Sequence, residues 1–267
     1  MAPEPTRNDE SNPQAFFGDI SGKYVKETFS DDRTSSTLGR MGRTGQVLRL
    51  LDKHLPGSGV TIADIGCGPG QFARPLADRG HTYIGMDINE SMFADSASEF
   101  EDDARISFKV GDVESIPLED GSVDSVICIG VVEYIPGDAA ALKQIARVLK
   151  PSGFAIVTFP NIRYPLNLLR VVLRPVLAPV LRACVPRWRD RVYVSGIRHR
   201  TLNPTRFIAA ARECGLEVVE ELSDGFLSLF NHRVGRCERW LSEWCAKWGQ
   251  RLFPRCGSNY YVCLRKP

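Results

Sequence analysis

Residues 63–72 read Ala63-Asp64-Ile65-Gly66-Cys67-Gly68-Pro69-Gly70-Gln71-Phe72. Glycines at three alternate positions remove three Cβ atoms from one short turn. That opens backbone conformations closed to other residues and lets a ligand lie against bare main chain. A helix starting just beyond adds free N–H groups. Asp87, in Gly85-Met86-Asp87-Ile88-Asn89, follows Gly66 by 21 residues. Nucleotide-binding folds place a carboxylate at about that separation to accept hydrogen bonds from ribose hydroxyls. A second acid, Asp112, lies in Val110-Gly111-Asp112-Val113 and suits an adenine amino group, which donates. A glycine-rich turn alone fits dinucleotide enzymes equally well; the second acid in this order does not usually accompany it there.

The elements that must position these residues follow from periodicity. Short apolar runs predict strands over 60–65, 82–86, 106–110, 123–129 and 154–159, with helices over 70–79, 90–100 and 138–149 between them. This alternation predicts βαβ units on a parallel sheet. Upstream, Val47, Leu48, Leu50 and Leu51 make an apolar stripe on a helix over 43–54, ended by Pro56-Gly57. Downstream, strands are expected over 216–221 and 260–264 and a helix over 204–214. A further helix over 233–252 carries Trp240, Trp244 and Trp248 on one face, a spacing read as core packing. Residues 1–13 are polar and proline-rich and predict a disordered tail. Residues 14–267 read as one α/β domain: an N-terminal helical part over 14–58, a ligand-binding half over 59–160, an insertion over 161–206, and the end of the sheet over 207–267.

The fourth strand runs into Gly130-Val131-Val132-Glu133-Tyr134-Ile135-Pro136, and Leu149-Lys150-Pro151-Ser152-Gly153 precedes the fifth. Together with the glycine turn and the two acids, these segments resemble class I S-adenosylmethionine-dependent methyltransferases over residues 60–160. The Val-Val-Glu-Tyr-Ile-Pro stretch resembles the small-molecule branch that includes quinone-biosynthesis methyltransferases. The resemblance implies a Rossmann-like α/β fold with helices on both faces of a seven-stranded, mostly parallel sheet whose last strand is antiparallel. A lid insertion would lie between strands five and six. It implies S-adenosyl-L-methionine as cofactor. Asp64 would orient the glycine loop and the methionine amino group, and Gly66, Cys67 and Gly68 would face the methionine part. Asp87 would hold the ribose, with Ile88 against the adenine, and Asp112 and Val113 would read the adenine edge. Ile129 and Gly130 would lie beside the sulfonium and the carboxylate end. Cys67 is then a small spacer, and Asp64 is read equally well as a strand-end acid capping the loop.

Methyl transfer leaves the protein to place the acceptor, exclude water and, for a hydroxyl or ammonium acceptor, remove a proton. Candidates for that work are Glu133, Tyr134, Tyr24 and His199. His199, in Ile197-Arg198-His199-Arg200, precedes a helix starting near Asn203-Pro204, and Tyr24 would cover the cofactor from the N-terminal part. Arg33, Arg40 and Arg43 are candidates for the cofactor carboxylate.

Residues 1–160 hold 15 Lys/Arg against 24 Asp/Glu, whereas residues 161–267 hold 19 against 8. Such asymmetry points to an anionic partner for the basic half. Within it, residues 165–186 are strongly apolar but broken by Pro175 and Pro179, with Arg170 and Arg174 one helical turn apart. This is too interrupted to span a bilayer. It suits a lid over the site, an interfacial element facing anionic headgroups, or both. The acceptor expected is a hydrophobic or anionic small molecule, lipid or lipid-linked at a membrane surface. The alternative is a soluble phosphorylated or carboxylated metabolite, methylated on oxygen or nitrogen and gripped by arginine. The fourth strand lacks the Asn/Asp-Pro-Pro-aromatic motif of amino-methylating base enzymes, which argues against nucleic acid. A non-catalytic cofactor-binding protein is the remaining reading. Eight cysteines without a C-x-x-C pair, and no secretion signal at the start, fit reduced thiols in a cytoplasm. No metal site is expected, since His232, Cys237 and Cys245 match no common ligand spacing.

Overall fold

The structure is a computed structural model and describes residues 14, 35–55, 57–165, 200–225 and 255–267. Tyr24, Arg33, His199, most of the segment 165–186 and the tryptophan-bearing stretch 233–252 lie outside these.

Seven strands form one sheet: β1 (Thr61–Ile65), β2 (Thr82–Asp87), β3 (Ile106–Val110), β4 (Val123–Ile129), β5 (Leu149–Pro160), β6 (Glu217–Asp224) and β7 (Asn259–Arg265). Their order is β3-β2-β1-β4-β5-β7-β6. The first five pair in parallel, and β7 runs antiparallel to both β5 and β6. The helices are α1 (Ser35–His54), α2 (Ala73–Ala77), α3 (Ala94–Glu99), α4 (Asp138–Val148) and α5 (Pro204–Glu213), with a single 3₁₀ turn at Glu90–Met92. Strand order reverses between β1 and β4, so their C-terminal ends border the crevice where open α/β sheets bind ligands.

The central strands are apolar at nearly every position because both faces are covered. On one face Ala63, Ile65, Val126, Cys128, Ala155, Val157, Tyr260 and Val262 pack under α4 and α5 through Leu142, Ile145, Phe207 and Ala211. On the other, Ile62, Ile127, Phe154, Ile156, Tyr261 and Cys263 pack under α1 and α2 through Val47, Leu51 and Leu76. The two sets alternate along each strand, the period of two that a pleated backbone imposes. Among the described residues the elements fall near their expected bounds, but the helix expected over 90–100 is divided into the 3₁₀ turn and α3, the strand expected over 216–221 runs on to Asp224, and three further shifts occur. Helix α1 starts at Ser35, eight residues before the expected start at Arg43. Residues 70–72 belong to the turn before α2. Strand β5 starts at Leu149, because Lys150–Gly153 bulge out of it with Ser152 at φ 63° before pairing with β4 resumes at Phe154. Helix α5 is capped by Asn203, whose Oδ1 accepts from Thr205 N at 3.0 Å, with Pro204 at the first helical position.

Beyond β5 three stretches of chain meet. Leu202 pairs with the strand end, its N–H donating to Pro160 O (2.9 Å) and its carbonyl accepting from Ile162 N (3.0 Å). The fully buried Asn161 donates from Nδ2 to Arg255 O and Gly257 O, both at 2.9 Å, and from its backbone to Ser258 O. One asparagine thereby joins the end of β5 to the chain before α5 and the chain before β7. Among the described residues no helix is long and apolar enough to cross a membrane.

Candidate active site

The glycine turn stands at the C-terminal edge of β1. Gly66, Gly68 and Gly70 all have positive φ (71°, 52° and 69°), a region that costs other residues steric strain. Gly66 N and Cys67 N donate to Met86 O at 2.7 and 2.9 Å, pinning the turn to β2. A Cβ on Gly66 would come 2.2 Å from Val131 Cγ2, so the turn after β1 and the turn after β4 pack directly on each other there. Gly68 differs: among the described residues a Cβ on it would meet only Met92 Cε, at 3.7 Å, which leaves its main chain approachable from them.

Asp87 closes β2 and is buried. Its Oδ2 accepts from Gly68 N at 3.0 Å and its Oδ1 from Asn89 N at 3.1 Å. The residue predicted to hold a ribose therefore also holds the glycine loop. Asp64, expected to orient that loop, accepts instead from the Tyr83 hydroxyl at 2.8 Å and is only 2% exposed. Burial, with the Asp87 charge nearby, raises its carboxyl from 3.8 to about 7 against the opposing Tyr83 hydrogen bond. Burial likewise raises the Cys67 thiol well above its ordinary value, which keeps it protonated and unreactive. Ile88 is half-buried beside Asp87. Asp112 caps the turn after β3 by accepting from Glu114 N at 2.9 Å, and Val113 is buried behind it.

The third part lies beyond β4. Gly130 has φ 71°, and a Cβ on it would come 3.5 Å from Glu133 Oε1 and 3.8 Å from Arg43 Nη1. The Glu133 side chain from the β4 turn and Arg43 from α1 thus converge on one bare residue next to Ile129. Glu133 is 6% exposed, and among the described residues its Oε2 has no hydrogen-bond partner; nor have the buried Nε atoms of Arg43 and Arg200. Burial raises the Glu133 carboxyl from 4.5 to about 7, although Arg43 and Arg200 both pull it down. Arg200 braces this turn: its N–H donates to Glu133 O (2.8 Å), and its Nη2 donates to Val132 O (3.0 Å) and pairs with Asp138 Oδ1 (2.6 Å). Tyr134 sits half-buried in the same turn, its N–H on Val131 O. Arg40 belongs to α1.

The predicted residues Asp64, Gly66, Cys67, Gly68, Asp87, Ile88, Asp112, Val113, Ile129, Gly130, Glu133 and Tyr134 therefore all fall at the C-terminal ends of β1 to β4 or in the turns that leave them. The sequence did not single out Tyr83, whose hydroxyl meets Asp64 only through the β1–β2 register. It also held no sign that Thr44 Oγ1 would donate to Gln71 Oε1 at 3.1 Å, or Asn89 Nδ2 to Gln14 O at 2.9 Å. These two bonds bring N-terminal residues to the rim.

A Methyltransferase domain family model matches residues 63–157, the stretch that carries this rim. The ubiquinone biosynthesis O-methyltransferase of Thiobacillus denitrificans is 30% identical over 179 residues, covering 65% of this chain and 71% of that protein. An uncharacterized 37.1 kDa protein in a transposon of Streptomyces fradiae is 31% identical over 178 residues, covering 61% of this chain; that alignment spans half of that protein's length. Among solved structures, the magnesium protoporphyrin IX methyltransferase of Synechocystis, with S-adenosylhomocysteine bound, superposes with a TM-score of 0.66. It is 15% identical and covers 97% of this chain and all of that one. The chain belongs to the class I S-adenosylmethionine-dependent methyltransferases, and S-adenosylmethionine is its cofactor.

The rim fits that cofactor on two observations: the approachable main chain at Gly68 beside the buried Asp87 carboxylate, and the Arg43 and Glu133 side chains beside Gly130, each with one buried polar atom (Nε and Oε2) that has no partner among the described residues. Among the described residues no group of three His, Cys, Asp or Glu side chains could hold a metal ion.

Proposed function

We propose that this chain methylates a hydroxyl on a hydrophobic or anionic small molecule, lipid-linked and met at an anionic membrane surface. The cofactor supplies the methyl group. Asp87 would hold its ribose, Ile88, Asp112 and Val113 its adenine, and the Gly66–Gly68 main chain, Gly130 and Arg43 its amino-acid end. The carrying observation is the Glu133 carboxyl: buried, without a partner at Oε2 among the described residues, raised to about 7, and held over Gly130 at the end of β4. A carboxylate in that state is the form that accepts a proton from a phenolic or alcoholic acceptor at neutral pH. The similarity to a ubiquinone-biosynthesis O-methyltransferase supports a hydroxyl and a lipophilic acceptor.

Support for the membrane surface comes from where two basic stretches leave the fold. Segments 166–199 and 226–254 together carry 12 Lys/Arg and only 3 Asp/Glu among many apolar residues. Both connect to described chain at the edge that carries the site, and Asn161 joins a root of each. Apolar side chains flanked by arginine are the composition of interfacial anchors.

The test supplies methyl-labelled cofactor with a polyprenylated catechol, either in anionic vesicles or with the prenyl tail removed in buffer. Label is expected in the lipid extract, with vesicle binding at low salt that high salt reverses. Faster methylation of the tail-less phenol, with no vesicle binding, would overturn the lipid-linked acceptor in favour of a soluble one. Glu133→Gln is expected to slow transfer by about 10²–10⁴-fold, the usual contribution of a general base.

A further inference from the structure

The cofactor has two ends that bind by different chemistry. One is an adenosine. The other is an amino acid, with an ammonium and a carboxylate on a short chain. On the reading above, the adenosine meets the ends of β2 and β3, and the amino-acid end meets the turns that leave β1 and β4. The turn after β4 is neither helix nor strand from Gly130 to Gly137, so its shape must be fixed from elsewhere in the chain.

Arg200 supplies that hold. Leu202, two residues on, is hydrogen-bonded to the end of β5 and so fixes where Arg200 starts. From there the Arg200 N–H donates to Glu133 O at 2.8 Å, and Nη2 donates to Val132 O at 3.0 Å. The same Nη2 meets Asp138 Oδ1 at 2.6 Å in the first turn of α4, so the guanidinium is itself held. Val132 is fully buried, and a buried carbonyl that loses its donor costs its desolvation without return. Two successive carbonyls are thereby drawn toward Arg200. The residue before them, Val131, is the one whose Cγ2 stands 2.2 Å from a Cβ placed on Gly66. The residue before that, Gly130, lies against the Glu133 and Arg43 side chains. One arginine therefore sets the turn after β4 and, through Val131, its contact with the glycine turn. None of these bonds reaches the ends of β2 and β3, where Asp87 and Asp112 accept from Gly68, Asn89 and Glu114.

We propose that Arg200, held by Asp138, is a positioning residue for the amino-acid end of the cofactor site and does not act on the adenosine end. This rests on the methyl-transfer reading but needs no acceptor. A turn released from Arg200 must be ordered again when a ligand binds against it, and only a ligand that uses the turn bears that cost. Loss of one charge-assisted hydrogen bond corresponds to about tenfold in affinity. Gripping a carboxylate and a carbonyl together suits a planar guanidinium; the compact ammonium of lysine reproduces it only in part.

The experiment is calorimetric binding of two probes to the full-length chain. S-adenosylhomocysteine carries both ends; 5′-methylthioadenosine keeps the adenosine and the thioether but has no amino acid. Arg200→Ala should weaken S-adenosylhomocysteine by about tenfold and leave 5′-methylthioadenosine unchanged. Asp138→Asn should do the same to a smaller extent, and Arg200→Lys should fall between wild type and Arg200→Ala. Lys150→Ala is the control for stability alone, since it loses the pair with Asp124 (2.8 Å) at the opposite edge of the sheet. It should lower the urea midpoint and leave both affinities intact. Equal weakening of both probes in Arg200→Ala would overturn the proposal, making Arg200 a support of the fold as a whole. Two unchanged affinities would overturn it too. Should Arg200→Ala fail to fold, Arg200→Lys and Asp138→Asn decide by the same ratio. A wild type that binds both probes alike would overturn the placing of the amino-acid end at this turn, and the proposal with it. One that binds neither would strike the cofactor site as a whole.

Discussion

Replacing Gly66 by alanine tests how the site is built, because two separable effects meet at that position. The residue sits at φ 71°, and placing an L side chain there costs about 1–2 kcal/mol. The new methyl would also come 2.2 Å from Val131 Cγ2, far inside contact distance, and forcing such an overlap costs about 1–3 kcal/mol. Gly66→Ala should therefore lose about 2–5 kcal/mol of stability, read as a fall in urea midpoint at unchanged m-value. The overlap can be removed separately. Val131→Ala deletes Cγ2 and leaves Cβ, which stands 3.5 Å from the position the new methyl would take, and alone should cost about 1 kcal/mol for a half-buried valine. In the double variant the overlap vanishes while the backbone strain stays, so the two losses should fall short of additivity by about 1–3 kcal/mol. An additive cycle would refute the direct packing of the two turns. A Gly66→Ala protein as stable as the wild type would refute the strain as well.

Asp87→Ala should weaken S-adenosylhomocysteine binding by about 1.5–3 kcal/mol, the range for hydrogen bonds to a charged group; unchanged calorimetric affinity would contradict its assignment to the ribose. Asp64 has a folded value raised from 3.8 to about 7. The folded state thus holds this proton more tightly than the unfolded chain, and stability from this group is full below pH 4 and lost as pH rises to about 7. Denaturant titrations without cofactor should show Asp64→Asn flattening the fall between pH 4 and 7 by a few kcal/mol. An identical pH slope in variant and wild type would remove the buried-carboxyl argument.

The sheet was legible because its signals are local. Strands β1 to β4 are apolar runs ended by glycine or aspartate, and each lies within a residue or two of its expected bounds. The bulge at Lys150–Gly153 was not legible, since it is a matter of how β5 registers against β4, where Lys150 meets Asp124 (2.8 Å). The cofactor rim was legible as a motif, but its wiring was not. Asp87 takes the loop contact expected of Asp64: the loop amide of Gly68 goes to Asp87, while the Tyr83 hydroxyl goes to Asp64. Strand register decides this, and register is a relation between segments that no single run of residues encodes. Arg43 and Arg200 lie 157 positions apart, and only the closed fold sets both charges around Glu133. Tyr24 and His199, put forward for their place in the chain, lie outside the described residues.

The junction at Asn161 has a consequence for how such a protein can change over time. The strand end and the chain before α5 are already hydrogen-bonded to each other where segment 166–199 leaves and returns. The free energy of holding those ends together is supplied by the sheet and depends only weakly on how much chain runs between them. Segment 166–199 is thus an exchangeable cassette. Its length and composition can be rewritten while the half of the molecule that carries the cofactor rim keeps its shape. A chain in which Pro165 is joined to Arg200 by a short Gly/Ser linker should still fold and still bind S-adenosylhomocysteine, the ends being held by the sheet.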